Sequence, residues 1–95
     1  MKEAVIALGS NVGDSLANLR EAVDLLEQGG CEIRSLSPLY ITEPWGYADQ
    51  DDFLNGAVLI ATDRDPFELL ALTQKIEREM GRKKLFLNGP RNIDL

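Results

Sequence analysis

The first third of the chain contains a continuous apolar run, followed by a segment in which apolar residues recur at helical intervals. Residues 4–8, AVIAL, form a short apolar run with β-branched members, which is typical of a buried strand. Residues 9–13, GSNVG, then predict a loop. Within residues 15–28 apolar side chains recur at intervals of three and four, which predicts an amphipathic helix. Its predicted buried face carries Leu16, Leu19, Val23 and Leu26.

Capping residues bound this predicted helix at both ends. Asp14 precedes it and offers an oxygen that accepts a hydrogen bond from an unpaired N–H group of the first turn. The glycine pair at residues 29–30 follows it and accepts the left-handed geometry that ends many helices. Residues 31–42 predict a second strand with imperfect alternation, in which Pro38 indicates an edge position or a bulge.

The middle of the chain combines a long acidic loop with a third strand. Residues 43–52, EPWGYADQDD, carry Trp45 and Tyr47. Loops of this length in a compact domain are often functional, so this one is a candidate. Residues 53–61, FLNGAVLIA, come directly after it and predict a strand.

A second helix begins at a strong start signal. Asp65 is expected at the N-cap, Pro66 at the first helical position and Glu68 at the third, where its side chain returns to the cap. The helix is predicted to extend to Met80, and Gly81 is expected to end it. The predicted buried face consists of Leu69, Leu70, Thr73, Ile76 and Met80.

The C-terminal segment divides into a basic loop and the beginning of a strand. Residues 82–91, RKKLFLNGPR, predict the loop, and residues 92–95, NIDL, predict the strand. The resulting order, β-α-β-β-α-β, is that of the ferredoxin-like split βαβ fold. We therefore predict an α+β domain, an antiparallel sheet with both helices on one face. The final strand is truncated, so its place beside the first strand is expected to be largely empty.

Composition narrows the classes of function. The 95 residues fit one domain, and no apolar run reaches the about 20 residues that cross a membrane. The net charge of −6 argues against a nucleic-acid partner. The sequence contains no His, which excludes His-ligated metal sites and imidazole bases. The single Cys31 is expected to pack as a small hydrophobe in a reducing cytoplasm.

Charge is distributed unevenly along the chain. Residues 43–68 contain seven acidic residues and one basic residue, whereas residues 74–95 contain six basic and three acidic residues. The second region suits a small anion such as a nucleotide phosphate, and a solvated surface is the alternative. Within it, Gln74 and Glu77 lie three residues apart and share a face of the second predicted helix. They form either an ordinary polar edge or a wall beside a bound ligand.

One Arg and one Asp near the C-terminus form a candidate phosphate site. The basic residues at 82–84 follow the second helix, where they also complement its macrodipole. Arg91 differs from them, because Gly89-Pro90 constrains the backbone ahead of it. Asp94 lies three residues later, and the pair fits either a phosphate site with Mg²⁺ or a simple ion pair.

Asn55 is a polar residue in an otherwise apolar predicted strand, two residues after Phe53. A buried amide must be hydrogen-bonded, either to protein or to a ligand with matching groups. An aromatic ring beside an amide on one strand face is suited to holding a flat heterocycle. A core Asn whose hydrogen bonds are all made within the protein is the alternative.

Four linked motifs occur in order along the chain. They are ALGSNVGD, YITEPWGYADQDDFLNGAV, LLALTQKIEREMGR and NGPRNIDL. Together they resemble the 6-hydroxymethyl-7,8-dihydropterin pyrophosphokinases of folate biosynthesis, and the resemblance runs through all 95 residues. It implies a ferredoxin-like fold and the transfer of a pyrophosphoryl group from ATP to a reduced pterin with two Mg²⁺ ions. Such transfer relies on positioning and charge neutralisation, so it needs no His.

The resemblance also assigns roles to individual residues. The implied pterin-binding residues are Thr42, Trp45, Phe53 and Asn55. The implied ATP-binding residues are Gln74, Glu77, Arg82, Lys84 and Arg91. The implied catalytic residues are Arg82, Arg91 and Asp94. Asp94 is also the implied Mg²⁺ ligand, as the first Asp of a D-x-D pair.

The resemblance implies that residues 1–95 are a single incomplete domain of this family, without the second Asp of the pair. We therefore expect little or no turnover from this chain alone. One alternative is a non-catalytic module that keeps the pterin pocket. Another is a dimer or strand-exchanged assembly formed through an unpaired sheet edge.

Overall fold

The computed structural model describes residues 1–11, 13–42 and 52–81, together with the backbone of residues 86–92. These residues form an antiparallel sheet and two helices, which is an α+β arrangement. The helices are α1 (Ser15–Gln28) and α2 (Pro66–Met80). The strands are β1 (Lys2–Ser10), β2 (Glu32–Leu36), β3 (Tyr40–Thr42), β4 (Phe53–Thr62) and β5 (Phe86–Asn92).

Strands β1 and β4 form the centre of the sheet. They pair antiparallel along their full length, from Lys2↔Thr62 to Ser10↔Leu54. The strand order is β2-β4-β1-β5, and β3 also pairs with β4. The first strand is thus longer at both ends than the predicted residues 4–8, because its pairing with β4 includes polar residues that an apolar pattern does not mark. Gly9, predicted to lie in a loop, belongs to this strand.

The second predicted strand is two strands, β2 and β3. Both pair with β4, and residues 37–39 separate them. Pro38 has no N–H group to donate, so it cannot continue a ladder. Beside it, the Ser37 hydroxyl accepts a hydrogen bond from the Ala57 N–H group at 2.8 Å, and the Ser37 N–H donates to the Ala57 carbonyl at 2.9 Å. Within the described residues β2 and β3 pair with β4 alone, and Pro38 lies between these two strands, not inside a single strand as predicted.

Strand β5 corrects the prediction for the C-terminal segment. Residues 86–91 were expected in a loop, but the backbone of 86–92 pairs antiparallel with β1. The register shifts between Ala7↔Asn88 and Val5↔Arg91, so one extra residue of β5 falls at Gly89-Pro90. A bulge of this kind accommodates a glycine and a proline that a regular ladder would not. The place beside β1 is therefore filled by β5, and the expectation that it is largely empty was wrong.

Both helices have the predicted boundaries and caps. The Asp14 carboxylate accepts from the Ala17 N–H at 3.1 Å. Asp65 and Glu68 form a reciprocal capping box at the start of α2. At the end of α1 only Gly30, with φ of 95°, has a positive φ. Neither helix in the described part of the chain is long and apolar enough to cross a membrane.

The core lies between one face of the sheet and the two helices. Alternate residues of β1 and β4 meet the buried faces of α1 and α2 in one cluster. Its members are Ala4, Ile6, Leu8, Leu19, Ala22, Leu26, Cys31, Val58, Ile60, Leu69, Leu72, Ile76 and Met80. Two predicted core residues, Leu16 and Leu70, are instead 41% and 40% exposed, and Ala22 and Leu72 are buried in addition to the predicted faces.

Candidate functional site

The polar candidates on β4 lie on the face of the sheet that the helices leave open. Val58 and Ile60 point into the core, so the alternate residues Asn55, Ala57 and Leu59 belong to the opposite face. Asn55 is paired with Gly9 of β1 on one side and with Tyr40 of β3 on the other. Directly opposed residues of an antiparallel ladder share a face.

The side chains of Thr42 and Asn55 are in direct contact. The Asn55 Nδ2 donates to the Thr42 Oγ1 at 2.8 Å and to the Phe53 carbonyl at 3.3 Å. Thr42 is itself the ladder partner of Phe53, so β3 and β4 together hold the amide. The structure therefore brings three of the four predicted pterin-binding residues into one cluster. The fourth, Trp45, lies outside the described residues.

Gly9 contributes space to this cluster. A Cβ atom at Gly9 would lie 3.1 Å from the Asn55 Oδ1 and 4.0 Å from the Phe53 Cδ1. The φ of Gly9 is not positive, so its backbone conformation does not call for a glycine. The close approach of the Asn55 amide explains the glycine instead. Sequence reasoning missed this residue, although a glycine inside a strand is a known sign of close approach.

Tyr40 is a second residue that sequence reasoning missed. It pairs with Asn55 in the ladder and is 56% exposed. Its alternation with Thr42 along β3 places both residues on the open face. The ring thus lies at the border of the Asn55 cluster, where an exposed aromatic can contact a ligand.

The position of Arg91 is defined by the backbone of β5. Arg91 pairs with Val5, whose partner on the other side is Leu59. This row lies four residues along β4 from Asn55, which is about 13 Å, and position 91 is two strands away from β4, about 10 Å across the sheet. The backbone therefore places position 91 on the same sheet as the Asn55 cluster, at a distance that one extended ligand can span.

The remaining predicted site residues are not part of this cluster. Gln74 is exposed and Glu77 half-buried on α2, which packs on the helix-covered face. Arg82, Lys84 and Asp94 lie outside the described residues. Within the described residues, no three His, Cys, Asp or Glu side chains come together as a group that could hold a metal ion.

Cys31 is unsuited to nucleophilic chemistry. It is 2% exposed within the core cluster, which confirms the prediction that it packs as a small hydrophobe. Burial raises the pKa of its thiol, although a hydrogen bond with the Thr62 side chain and the charge of Arg64 oppose the shift. The thiolate, which is the reactive form, is therefore disfavoured.

An apolar cavity of about 470 Å³ lies on the helix-covered face. Its lining is mainly apolar, with Arg20, Asp24 and Ser37 as polar members. Leu8 and Gly56 form part of it, and both are one residue away from the Gly9–Asn55 pair on the other face. The cavity and the Asn55 cluster are thus separated by the sheet.

Comparison with known proteins identifies relatives across the whole chain. The model of a family described as 7,8-dihydro-6-hydroxymethylpterin-pyrophosphokinase (HPPK) matches residues 5–95. The chain is 53% identical over 93 residues to a 2-amino-4-hydroxy-6-hydroxymethyldihydropteridine pyrophosphokinase of Bacillus subtilis, a match that covers 97% of this chain and 56% of that protein. The protein of the same name from Aquifex aeolicus is 40% identical over 95 residues, covering 100% of this chain and 59% of the relative.

A longer relative matches in the same way. The mitochondrial folate synthesis bifunctional protein of Pisum sativum is 49% identical over 94 residues, which are 99% of this chain and 18% of the relative. The chain therefore spans more than half, but less than two thirds, of the length of the Bacillus and Aquifex relatives.

Proposed function

This chain belongs to the 7,8-dihydro-6-hydroxymethylpterin-pyrophosphokinase family, and on that premise we propose that it takes part in ATP-dependent pyrophosphoryl transfer to a reduced pterin. The acceptor is the hydroxymethyl group of 6-hydroxymethyl-7,8-dihydropterin, and the reaction belongs to folate biosynthesis. The observation that carries the proposal for this chain is the cluster of Thr42, Phe53 and Asn55 on the open face of the sheet.

The pterin is proposed to lie against this cluster. The Asn55 amide reads the edge of the heterocycle by hydrogen bonding, and the Phe53 ring supplies an apolar contact. Trp45, which follows β3 in the chain, and the backbone at Thr42 are further proposed contacts of the pterin. The support is that three of these four residues are neighbours in the structure, although Thr42 is 11 residues from Phe53 in the chain.

The triphosphate of ATP is proposed to lie toward Arg91, with Arg82 and Lys84 as further cationic partners. Arginine suits this role because its guanidinium matches phosphate geometry with two parallel hydrogen bonds. Gln74 and Glu77 border the nucleotide in this proposal. The support is the β5 register, which places position 91 on the sheet that carries the Asn55 cluster.

Two Mg²⁺ ions are the proposed cofactor, with Asp94 as a carboxylate ligand. Carboxylate oxygens are the ligands that Mg²⁺ prefers, and the ion neutralises phosphate charge when bound. In this proposal each residue of the chain has a separate role. Arg82 and Arg91 hold phosphate oxygens, Asp94 holds the metal, and Asn55 orients the acceptor.

We propose a ferredoxin-like arrangement for residues 1–95, within a single domain of the family. The strand order β2-β4-β1-β5 and the antiparallel pairings support it. A cytoplasmic location and the absence of nucleic-acid and membrane partners are part of the same proposal, and the net charge of −6 supports the exclusion of nucleic acid.

A non-catalytic pterin-binding module is the alternative function, because the described cluster contains residues proposed to bind the pterin and none of those proposed to bind ATP or Mg²⁺. Self-association through a sheet edge is a further alternative. Since β5 occupies one side of β1, such an edge would be β2–β3 or β5. The charged Glu32 and Arg34 on β2 oppose pairing at that edge, as edge charges do in other sheets.

One experiment separates these functions. Titration calorimetry measures the binding of 6-hydroxymethyl-7,8-dihydropterin, and a coupled assay measures AMP formed from ATP and Mg²⁺. We expect Asn55→Leu to weaken pterin binding at least about tenfold, the equivalent of about 1.4 kcal/mol, because the amide hydrogen bonds to the ligand are lost. Gln28→Leu, which removes an exposed amide at the end of α1, is the matched control and should bind as the wild type does.

The outcomes assign the function directly. AMP formation that depends on the pterin supports the transferase and contradicts the expectation of little or no turnover from this chain alone. Pterin binding that needs no ATP and yields no AMP favours the binding module. Equal affinity of wild type and Asn55→Leu, or no pterin binding at all, contradicts the proposed pterin site.

A further inference from the structure

The Asn55 amide nitrogen donates two hydrogen bonds within the protein. Its Nδ2 donates to the Thr42 hydroxyl oxygen at 2.8 Å and to the Phe53 carbonyl at 3.3 Å. An amide nitrogen has two hydrogens to donate, so these two bonds use its donor capacity. The Oδ1, in contrast, accepts no hydrogen bond from the described residues.

The two acceptors determine which way the amide points. A hydroxyl can donate as well as accept, so Thr42 alone would tolerate either orientation of the Asn55 amide. The Phe53 carbonyl can only accept, and a reversed amide would place two oxygens against each other at about the same position. The pair of contacts therefore favours the orientation with Nδ2 toward β3 and Oδ1 toward β1.

Gly9 is the residue on β1 that faces the Oδ1. The distance of 3.1 Å from the Oδ1 to a Cβ at this position is shorter than nine in ten real Cβ contacts. A Cβ at position 9 would push against the amide, because Asn55 and Gly9 are direct ladder partners and the Oδ1 would have to move by a few tenths of an ångström. Because Gly9 has no side chain, the Oδ1 can remain in this position.

We propose that the Thr42 hydroxyl and Gly9 are positioning residues that fix the Asn55 amide with its acceptor oxygen available to the ligand. The site then offers an acceptor to an N–H group on the edge of the heterocycle, before the ligand arrives. This inference rests on the proposed pterin function for the identity of the ligand. It adds a role for the Thr42 side chain, which is separate from the backbone contact, and one for Gly9.

The Thr42 hydroxyl is tested with Thr42→Val and Thr42→Ser. Valine keeps the β-branched shape that suits a strand and lacks the hydroxyl, whereas serine restores the hydroxyl. We expect Thr42→Val to weaken pterin binding at least about fivefold in calorimetry, which is about 1 kcal/mol and the size of one hydrogen bond. Thr42→Ser should stay within about twofold of wild type on the same scale.

Thr73→Val is the matched control. The Thr73 hydroxyl is buried on α2 and donates to the Leu70 carbonyl at 2.8 Å, away from the open face. We expect this variant to lose stability and to keep wild-type pterin affinity. Wild-type affinity in Thr42→Val, or equal losses in Thr42→Val and Thr42→Ser, would overturn the role of the hydroxyl.

A measurement without ligand separates this inference from the proposed function. In ¹H–¹⁵N spectra of the wild-type chain, the two side-chain protons of Asn55 should be distinct and slow to exchange with solvent. They should exchange faster in Thr42→Val and return to wild-type behaviour in Thr42→Ser. If the wild type binds no pterin, these spectra still decide whether Thr42 positions the amide; unchanged Asn55 signals in Thr42→Val would refute it.

Gly9→Ala tests the second positioning residue against Gly56→Ala. A Cβ at Gly56 would meet the flexible Leu39 side chain at 2.9 Å on the helix-covered face, so it disturbs the adjacent residue of β4 without touching the amide. We expect Gly9→Ala to shift the Asn55 side-chain signals and to lower pterin affinity at least about threefold, a smaller effect than loss of a full hydrogen bond. Gly56→Ala should leave both unchanged. Unshifted Asn55 signals in Gly9→Ala would contradict this role for Gly9.

Discussion

Asp65 is a residue whose role follows from its immediate neighbours in the chain. Its carboxylate accepts from the Glu68 N–H at 2.8 Å, and the Glu68 side chain accepts from the Asp65 N–H at 3.2 Å. The hydrogen bond from the Glu68 backbone is the main cause of a lowered pKa at Asp65. The capping box was predicted from the spacing alone, since all of its atoms lie within one helical turn.

The lowered pKa of Asp65 predicts a pH dependence of stability. Because the pKa in the folded state is below the ordinary value of 3.8, the ionised carboxylate stabilises the fold above that pH, and this contribution is lost as the pH falls through the lower folded value. Asp65→Asn keeps an acceptor oxygen and removes the charge. Urea unfolding followed by circular dichroism should show wild type more stable than Asp65→Asn at neutral pH, with the difference closing in acid.

Asp65→Ala is the control, because it removes the acceptor together with the charge. It should remain less stable than wild type throughout the pH series. A constant difference between wild type and Asp65→Asn down to pH 2 would contradict the assigned cause of the pKa shift.

Gly9 shows the opposite case at the residue scale. Its importance depends on Asn55, which is distant in the chain and becomes its neighbour through the β1–β4 register. The sequence placed Gly9 in a loop, because glycine interrupts an apolar pattern in both situations. Local spacing therefore does not distinguish a glycine for a turn from one for close approach.

At the scale of elements, α2 was predicted in its boundaries and less well in its orientation. The helix begins and ends as expected, from Pro66 to Met80. Its buried face includes Leu72 and excludes Leu70, which is 40% exposed. The helical period identifies the row of apolar residues along α2. Packing against α1 and the sheet decides which residues beside that row are buried.

The end of α2 depends on the conformation of Gly81. Its φ is 80°, a region that residues with a Cβ rarely adopt. We expect Gly81→Ala to lower the free energy of unfolding by about 1–2 kcal/mol, the cost of forcing a Cβ into that region. Thermal and urea unfolding measure the change. For comparison, Ala71→Gly at an exposed position within α2 should cost about 0.5–1 kcal/mol.

One result of comparing Gly81→Ala with Ala71→Gly would contradict this role of Gly81. If Gly81→Ala is as stable as wild type while Ala71→Gly is not, the helix end does not require the positive φ.

At the scale of the whole molecule, the sheet separates the hydrophobic core from the candidate site. One face and the two helices bury the core, and the other carries the Asn55 cluster with half-buried neighbours. Adjacent residues of β4 therefore serve different purposes. Ile60 is fully buried, whereas Leu59 is half-buried on the open face opposite Val5.

Ile60→Ala and Leu59→Ala test this division. Ile60→Ala leaves a cavity in the core and should lower the free energy of unfolding by about 2–5 kcal/mol. That is a large share of the about 5–15 kcal/mol typical of a domain. Leu59→Ala removes a side chain that is only half-buried, so less than half of that loss is expected in urea unfolding. Equal losses would show that the open face is as closely packed as the core.

The sequence by itself determined the two helices with their caps and the residue types of the candidate site. It also determined the apolar face of each helix, apart from residues at the edge of that face. These features depend on spacing and hydrogen bonding within a few residues, which a linear pattern contains. Only the tertiary structure decided that residues 31–42 form two strands, that 86–92 fill the place beside β1, and that Gly9, Thr42 and Asn55 meet. Each of these depends on strand pairing between distant segments, and register between distant residues is set by the packing of the whole sheet.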